Sequence, residues 1–146
     1  MPTMFTLPWR WTKEARPERS VIFASYFEAN GLKDRWVLFA AGIRLRRYVL
    51  ASPGALGISL RTHLLAGRYY TVSMWQDETS LMAFAHGDNH RSAVRRISEI
   101  GPVGGVLISR ESEVIRPRWS KTLRWIAIAK PGPYRMERTP SLDLEQ

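Results

Sequence analysis

The chain has 146 residues, of which 45% are hydrophobic, and it carries a formal net charge of +9 at pH 7. This length fits one domain, and the hydrophobic content is enough to bury a core, so a disordered chain is not expected. It contains no cysteine, which excludes disulfides, thiolate metal sites and a cysteine nucleophile and fits a reducing, cytoplasmic location.

The positive charge does not by itself indicate a nucleic-acid-binding protein. The basic residues are spread along the whole chain, without a Lys/Arg block, zinc-finger spacing or an aromatic RNA-binding signature. No segment reaches the roughly 18 apolar residues of a membrane-spanning helix, and no signal peptide is evident. We therefore predict a soluble protein with no specific nucleic-acid partner and no membrane partner.

Three regions follow one another along the chain. We predict an extended arm at 1–19, a ferredoxin-like domain at 20–115, and a terminal helix with a loosely ordered tail at 116–146. The predicted elements of the domain are a strand at 20–27, a helix at 32–51, strands at 55–65 and 68–75, helices at 78–86 and 89–97, and a strand at 104–111. Asp77 is the expected N-cap of the helix that follows it.

The order β-α-β-β-α-β predicts an α+β fold with a four-stranded antiparallel sheet and its helices on one face. The opposite face of the sheet would be apolar and bare. Two such sheets packed face to face, as a homodimeric α+β barrel, would cover it. Whether the terminal helix, predicted over 117–129, lies on its own subunit or on the partner stays open.

The long predicted helix has two apolar stripes. One contains Leu32, Trp36, Phe39, Ala40, Ile43 and Leu50, and the other contains Leu38, Leu45 and Val49. We expect one stripe to face the sheet and the other to face a partner or terminal segment. Arg47 falls on the first stripe, where it could hold an anionic group or simply complement the helix C-terminus.

The segment from Tyr70 to Glu78, with Leu81, Phe84 and the pair His90-Arg91 after it, resembles the antibiotic biosynthesis monooxygenase-like family of dimeric α+β barrels. Members often have a strand ending in Trp, an acidic helix start, and a His about fifteen residues beyond the Trp. The stretch at 52–57 is also similar to the entry into their second strand. The resemblance covers roughly residues 20–115.

The resemblance implies oxygen insertion into a small aromatic or quinol-type substrate, in a pocket between the sheet and the helices, without flavin or metal. The protein would supply a dry cavity, a group that removes the phenolic proton, and donors for the resulting oxyanion. By position, His90 and Trp75 are the catalytic candidates. Phe84 stands where some relatives carry a histidine.

Each candidate also has an ordinary structural interpretation. His90 titrates near neutrality but shares a helix face with Val94 and Ile97, and Trp75 is more typical of a core residue than of a ligand contact. The predicted substrate-binding residues are Tyr69, Ser73, Phe84, Trp36, Arg47 and Tyr26. Tyr69 and Ser73 share a strand face with Trp75.

Two other functions stay open. A haem-binding barrel would need an axial ligand such as His90, His63 or His86. A non-enzymatic dimer that binds a small aromatic ligand, or is only structural, would need no catalytic group. No metal site is predicted, because the three histidines lack ligand spacing.

Overall fold

The computed structural model describes residues 4–100, 103–128 and 132–133. Its elements, in chain order, are β1 (Met4–Trp11), β2 (Ser20–Glu28), α1 (Leu32–Leu50), β3 (Ala55–His63), β4 (Arg68–Trp75), α2 (Glu78–Ala85), α3 (Asp88–Ile100), β5 (Val103–Glu111), α4 (Trp119–Ile128) and β6 (Gly132–Pro133). The predicted N-cap is confirmed, since the Asp77 carboxylate accepts a hydrogen bond of 2.7 Å from the Ser80 amide.

The described strands form one antiparallel sheet in the order β1-β3-β4-β2-β5-β6. The four central strands, with α1 between β2 and β3 and with α2 and α3 between β4 and β5, are the predicted β-α-β-β-α-β unit. The ferredoxin-like α+β fold is therefore confirmed. The edge strands β1, of eight residues, and β6, of two, extend the sheet beyond the four strands that the sequence predicts.

The N-terminal arm contributes β1, which pairs with β3 along one edge of the sheet. A side chain at Gly57 would prevent this pairing, because its Cβ would lie 2.4 Å from the Trp9 ring. The Ser59 hydroxyl also donates a 2.7 Å hydrogen bond to the Leu7 carbonyl. Because glycine has no side chain, the Trp9 indole can lie against Gly57, and this contact helps to hold the N-terminal arm on the sheet.

The face of the sheet that packs on α1, α2 and α3 is called the inner face. Its apolar side chains form one core with Val49 of α1 and Leu81 of α2; on the strands these side chains are Val21, Phe23, Ile58, Leu60, Trp75, Val106 and Ile108. Burial of each large apolar side chain stabilises the fold by about 1.5–3 kcal/mol.

Helix α1 turns its second predicted stripe, together with Phe39 and Ile43 of the first, to the sheet. Leu38 and Val49 are buried there, whereas Leu32 and Trp36 of the first stripe are 74% and 66% exposed. The expectation that this end of the first stripe packs against another element is not met within the described residues. Hydrophobic spacing identified the helix but gave the two stripes equal weight.

The opposite, outer face of the sheet is covered by α4 of the same chain. Trp125 and Ile126 of α4 are buried against Ile22, Leu56 and other apolar residues of this face. The Trp119 indole N–H donates a 2.9 Å hydrogen bond to the Ser59 hydroxyl. The face is therefore not bare, and two sheets cannot meet face to face while α4 stays in place. No helix in the described part of the chain is long and apolar enough to cross a membrane.

The contact between α4 and the outer face predicts how substitutions on this helix affect association. In Ile126→Glu a carboxylate replaces a buried side chain, so α4 should leave the sheet and expose an apolar face. We expect a larger sedimenting species than in the wild type, measured by sedimentation velocity. The matched control is Ile128→Glu, because Ile128 is 68% exposed on the same helix. Identical sedimentation of both variants and the wild type would contradict this role of α4.

Candidate functional site

A cavity of about 60 Å³ lies between the inner face and the helices α1 and α3. Its floor includes one row of side chains that crosses five strands in register: Leu7, Leu60, Thr71, Ser25 and Val106. Its walls include Leu38, Phe39 and Ile43 of α1 and His90, Val94 and Ile97 of α3. Phe5 of β1 also lines the cavity and is 44% exposed, which places it at the mouth.

His90, in the first turn of α3, is the titratable group in this wall with a free ring nitrogen. It is 8% exposed, and its Nδ1 lies 3.0 Å from the Ala85 carbonyl oxygen. A carbonyl oxygen only accepts hydrogen bonds, so the neutral ring carries its proton on Nδ1. Among the described residues Nε2 has no hydrogen-bond partner, and its lone pair is left for a ligand.

Burial lowers the pKa of His90 below its ordinary value of 6.5. The hydrogen bond to Ala85 opposes this change and the neighbouring His86 adds to it, both with smaller effects. The ring is therefore neutral at neutral pH. A neutral imidazole with a fixed tautomer is a proton acceptor, which is the state that a general base requires.

Tyr69 lines the same cavity but is held in a different role. Its hydroxyl donates a 2.6 Å hydrogen bond to the Arg35 carbonyl. Burial raises the pKa of Tyr69, although the Arg35 charge opposes the rise. This tyrosine stays protonated and its one donor is already used, so it does not serve as a base.

Three of the predicted site residues are not among those that line the cavity: Trp75, Phe84 and Ser73. Trp75 is fully buried, and its indole N–H donates a 3.0 Å hydrogen bond to the Ser73 hydroxyl. The Phe84 ring lies between Trp75 and His90, with its centroid 5.1 Å from each. The core interpretation of Trp75 fits this geometry, and the tilted Phe84 ring contacts one side of the imidazole.

The other three predicted substrate-binding residues lie away from the cavity. Tyr26 is on the outer face, stacked on Tyr70 with a centroid distance of 5.2 Å, and its hydroxyl donates to the Glu28 carboxylate. Burial and this carboxylate raise the pKa of Tyr26. Trp36 is on the exposed side of α1, and Arg47 is exposed in its last turn.

Sequence reasoning missed Ser25 and Thr71, which are the polar pair on the cavity floor. Their side chains are hydrogen-bonded to each other across β2 and β4. Strand alternation places Ser25 with Phe23 and Phe27, and Thr71 with Tyr69, so the signal was present. The sequence did not show the register between the two strands, which sets the hydroxyls directly opposite each other. Within the described residues no group of three His, Cys, Asp or Glu side chains is arranged to hold a metal ion.

The lowered pKa of His90 predicts a pH-dependent stability. The unfolded state binds the His90 proton more tightly, so the stabilising effect of the neutral ring is complete above pH 6.5 and is lost as the pH falls through the lower pKa of the folded state. Relative to His90→Asn, whose amide still reaches Ala85 but does not titrate, the wild type should lose up to about 1.4 kcal/mol of unfolding free energy per pH unit. Urea denaturation at a series of pH values measures this difference.

The control for this experiment is His63→Asn, which removes a histidine outside the cavity wall and shows what the loss of a histidine elsewhere does to the same curves. Equal pH dependence in the wild type and His90→Asn would show that His90 is not held neutral by burial.

Comparison with known proteins gives similarity in fold without similarity in sequence. No family model and no curated protein matches the chain. A proposed antibiotic biosynthesis monooxygenase from Deinococcus radiodurans has a TM-score of 0.56 at 11% identity, over 67% of this chain and 96% of its own. A variant of SnoaB, a cofactor-independent oxygenase from Streptomyces nogalater, has a TM-score of 0.52 at 13% identity, over 68% and 96%.

A proposed monooxygenase from Fusobacterium nucleatum has a TM-score of 0.56 at 10% identity over 70% of this chain. The match spans 46% of that protein, so this chain corresponds to less than half of it. At such identities the likeness concerns the fold alone. The chain therefore has the α+β fold of antibiotic biosynthesis monooxygenase-type structures, as its sequence predicted.

Proposed function

We propose that the protein is a cofactor-independent monooxygenase that acts on a small aromatic or quinol-type substrate in the cavity between the inner face and the helices. The observation that carries the proposal is His90, a buried, neutral imidazole whose tautomer is fixed by Ala85 and whose Nε2 is left for a ligand. The fold shared with the cofactor-independent oxygenase SnoaB supports the reaction class.

In the proposed reaction Nε2 of His90 takes the proton of a phenolic hydroxyl. The phenolate then supplies electrons to O₂, and a new C–O bond forms at a ring carbon that bears hydrogen. Loss of that hydrogen and cleavage of the O–O bond give the quinone carbonyl and one water, so one substrate and one O₂ yield one quinone and one water. The imidazolium returns its proton to the departing oxygen.

The apolar walls contribute to this chemistry by excluding water. Phe23, Phe27 and Phe39 are among the residues that line the cavity. In such surroundings the attraction between a phenolate and the imidazolium is stronger than in water. The same walls bury the face of an aromatic ring, which favours substrates with few polar groups.

The size of the cavity limits what can enter. About 60 Å³ is smaller than the roughly 150 Å³ cavity that admits benzene in another protein. A one-ring substrate therefore enters only if a wall moves. We propose that the movable wall is the contact between Phe5 and Phe39, whose ring centroids are 6.2 Å apart, because Phe5 is at the mouth.

Haem does not fit this site. His90 lines the cavity, but haem is several times larger than a one-ring substrate, for which the cavity of about 60 Å³ is already too small unless a wall moves. His63 and His86 are not among the lining residues. We therefore assign no step to haem.

We include the homodimer that the sequence predicts in this proposal on one condition, which concerns α4. Two sheets pair face to face only when α4 leaves the outer face or exchanges with that of the partner, since Trp125 and Ile126 occupy this face in the single chain. The catalytic group and the cavity walls come from one chain, so the proposed chemistry does not depend on the dimer.

The test of the proposed function is oxygen uptake by the full chain with a panel of phenols, naphthols and their dihydroxy derivatives. We expect uptake with quinone formation, and a decrease of about 100-fold or more in His90→Asn, because loss of a general base costs at least that much. His63→Asn is the matched control and should keep the wild-type rate. Uptake that is unchanged in His90→Asn would contradict the role of His90, and no uptake by the wild type would favour the non-enzymatic ligand-binding alternative.

A further inference from the structure

The hydroxyls of Ser25 and Thr71 form a polar pair in the middle of the cavity floor. The two residues are directly opposite each other on the adjacent strands β2 and β4. They are 3% and 8% exposed, and their side chains are hydrogen-bonded to each other. On either side in the same row stand Leu60 and Val106. The two hydroxyls therefore lie between apolar neighbours in this row.

The Ser25–Thr71 pair keeps one hydroxyl hydrogen that the bond between the two residues does not use. Each hydroxyl has one O–H donor, and the bond between Ser25 and Thr71 uses one of the two. Among the described residues neither hydroxyl has a second hydrogen-bond partner. Whichever residue donates to the other, one O–H stays available, and both side chains line the cavity.

The hydrogen bond across the two strands does not by itself explain why Ser25 and Thr71 are buried in the core. Ser and Thr opposite each other stabilise a sheet modestly, and exposed positions provide this stabilisation equally well. Inside a core, a donor without an acceptor is costly. An oxygen acceptor delivered by a ligand would satisfy it, and in these apolar surroundings the bond would be stronger than in water.

We propose that the Ser25–Thr71 pair binds an acceptor oxygen of the ligand while His90 binds a second oxygen, which rests on the function proposed above for His90. The ligand class is then an aromatic ring with two oxygens: a hydroxyl that faces His90 on α3, and a carbonyl or ether-type oxygen that faces the floor. After deprotonation of a substrate whose hydroxyl is conjugated with that carbonyl, the same donor would hold the carbonyl oxygen on which negative charge is delocalised.

Two probes of similar shape test this assignment. 4-Hydroxyacetophenone has a phenolic hydroxyl and a carbonyl, whereas 4-ethylphenol has the hydroxyl and an alkyl group of similar size. We expect the wild-type chain to bind 4-hydroxyacetophenone about tenfold more tightly, although 4-ethylphenol is the more apolar compound, because one more hydrogen bond forms in the dry cavity. Isothermal titration calorimetry or ligand-observed NMR gives the two dissociation constants.

The decisive variant is the double substitution Ser25→Ala with Thr71→Val. It removes both hydroxyls together and leaves no unpaired donor, so it should fold more readily than either single variant. We expect the preference for 4-hydroxyacetophenone to fall to onefold or below in this variant, because its carbonyl would then be buried without a donor. Thr122→Val is the matched control, because Thr122 is a buried threonine on α4, and it should keep the tenfold preference.

The outcomes separate this inference from the proposed function. In His90→Asn both probes should bind more weakly with the preference retained, whether or not the wild type takes up oxygen. Loss of oxygen uptake with an intact preference would overturn only the proposed function. A wild type that lacks the preference, binds neither probe, or keeps the preference in the double variant would overturn the role of the Ser25–Thr71 pair.

Discussion

A sheet with two apolar faces must have both of them covered, and this constraint organises the whole chain. The inner face packs on α1, α2 and α3, and the outer face packs on α4. The cavity exists because the inner layer does not fill the space completely between α1, α3 and the floor. In this arrangement the outer face needs no second subunit to cover it.

Burial also determines the protonation states in the site. It keeps His90 neutral and Tyr69 protonated, and each uses one polar atom on a backbone carbonyl, those of Ala85 and Arg35. Among the described residues that line the cavity, the polar groups left for a ligand include the His90 lone pair, one O–H of the Ser25–Thr71 pair and the Thr62 hydroxyl. Charge therefore arises in the cavity only when a substrate brings a proton to transfer.

The sequence predicted the elements well because their signals are local. Alternation of apolar residues marked the strands, and Asp77 marked a helix start that its hydrogen bond to Ser80 confirms. Contacts between residues that are far apart in the sequence could not be predicted in this way. The contact of Trp9 on Gly57 that docks β1, and the contact of α4 with its own sheet, depend on residues about 48 or more positions apart. The same limit applies to the site, where alternation put Tyr69 and Ser73 on one face but did not show that Tyr26 is on the other.

The most direct test of the account is ¹⁵N NMR of the His90 ring across a pH titration. The chemical shifts of the two ring nitrogens report which one carries the proton, and their dependence on pH gives the pKa. The account predicts a neutral ring protonated on Nδ1 with a pKa below 6.5. A ring protonated on Nε2 would contradict this, because Nε2 would then offer no lone pair to a ligand. A pKa at or above 6.5 would contradict burial as the cause of the neutral state.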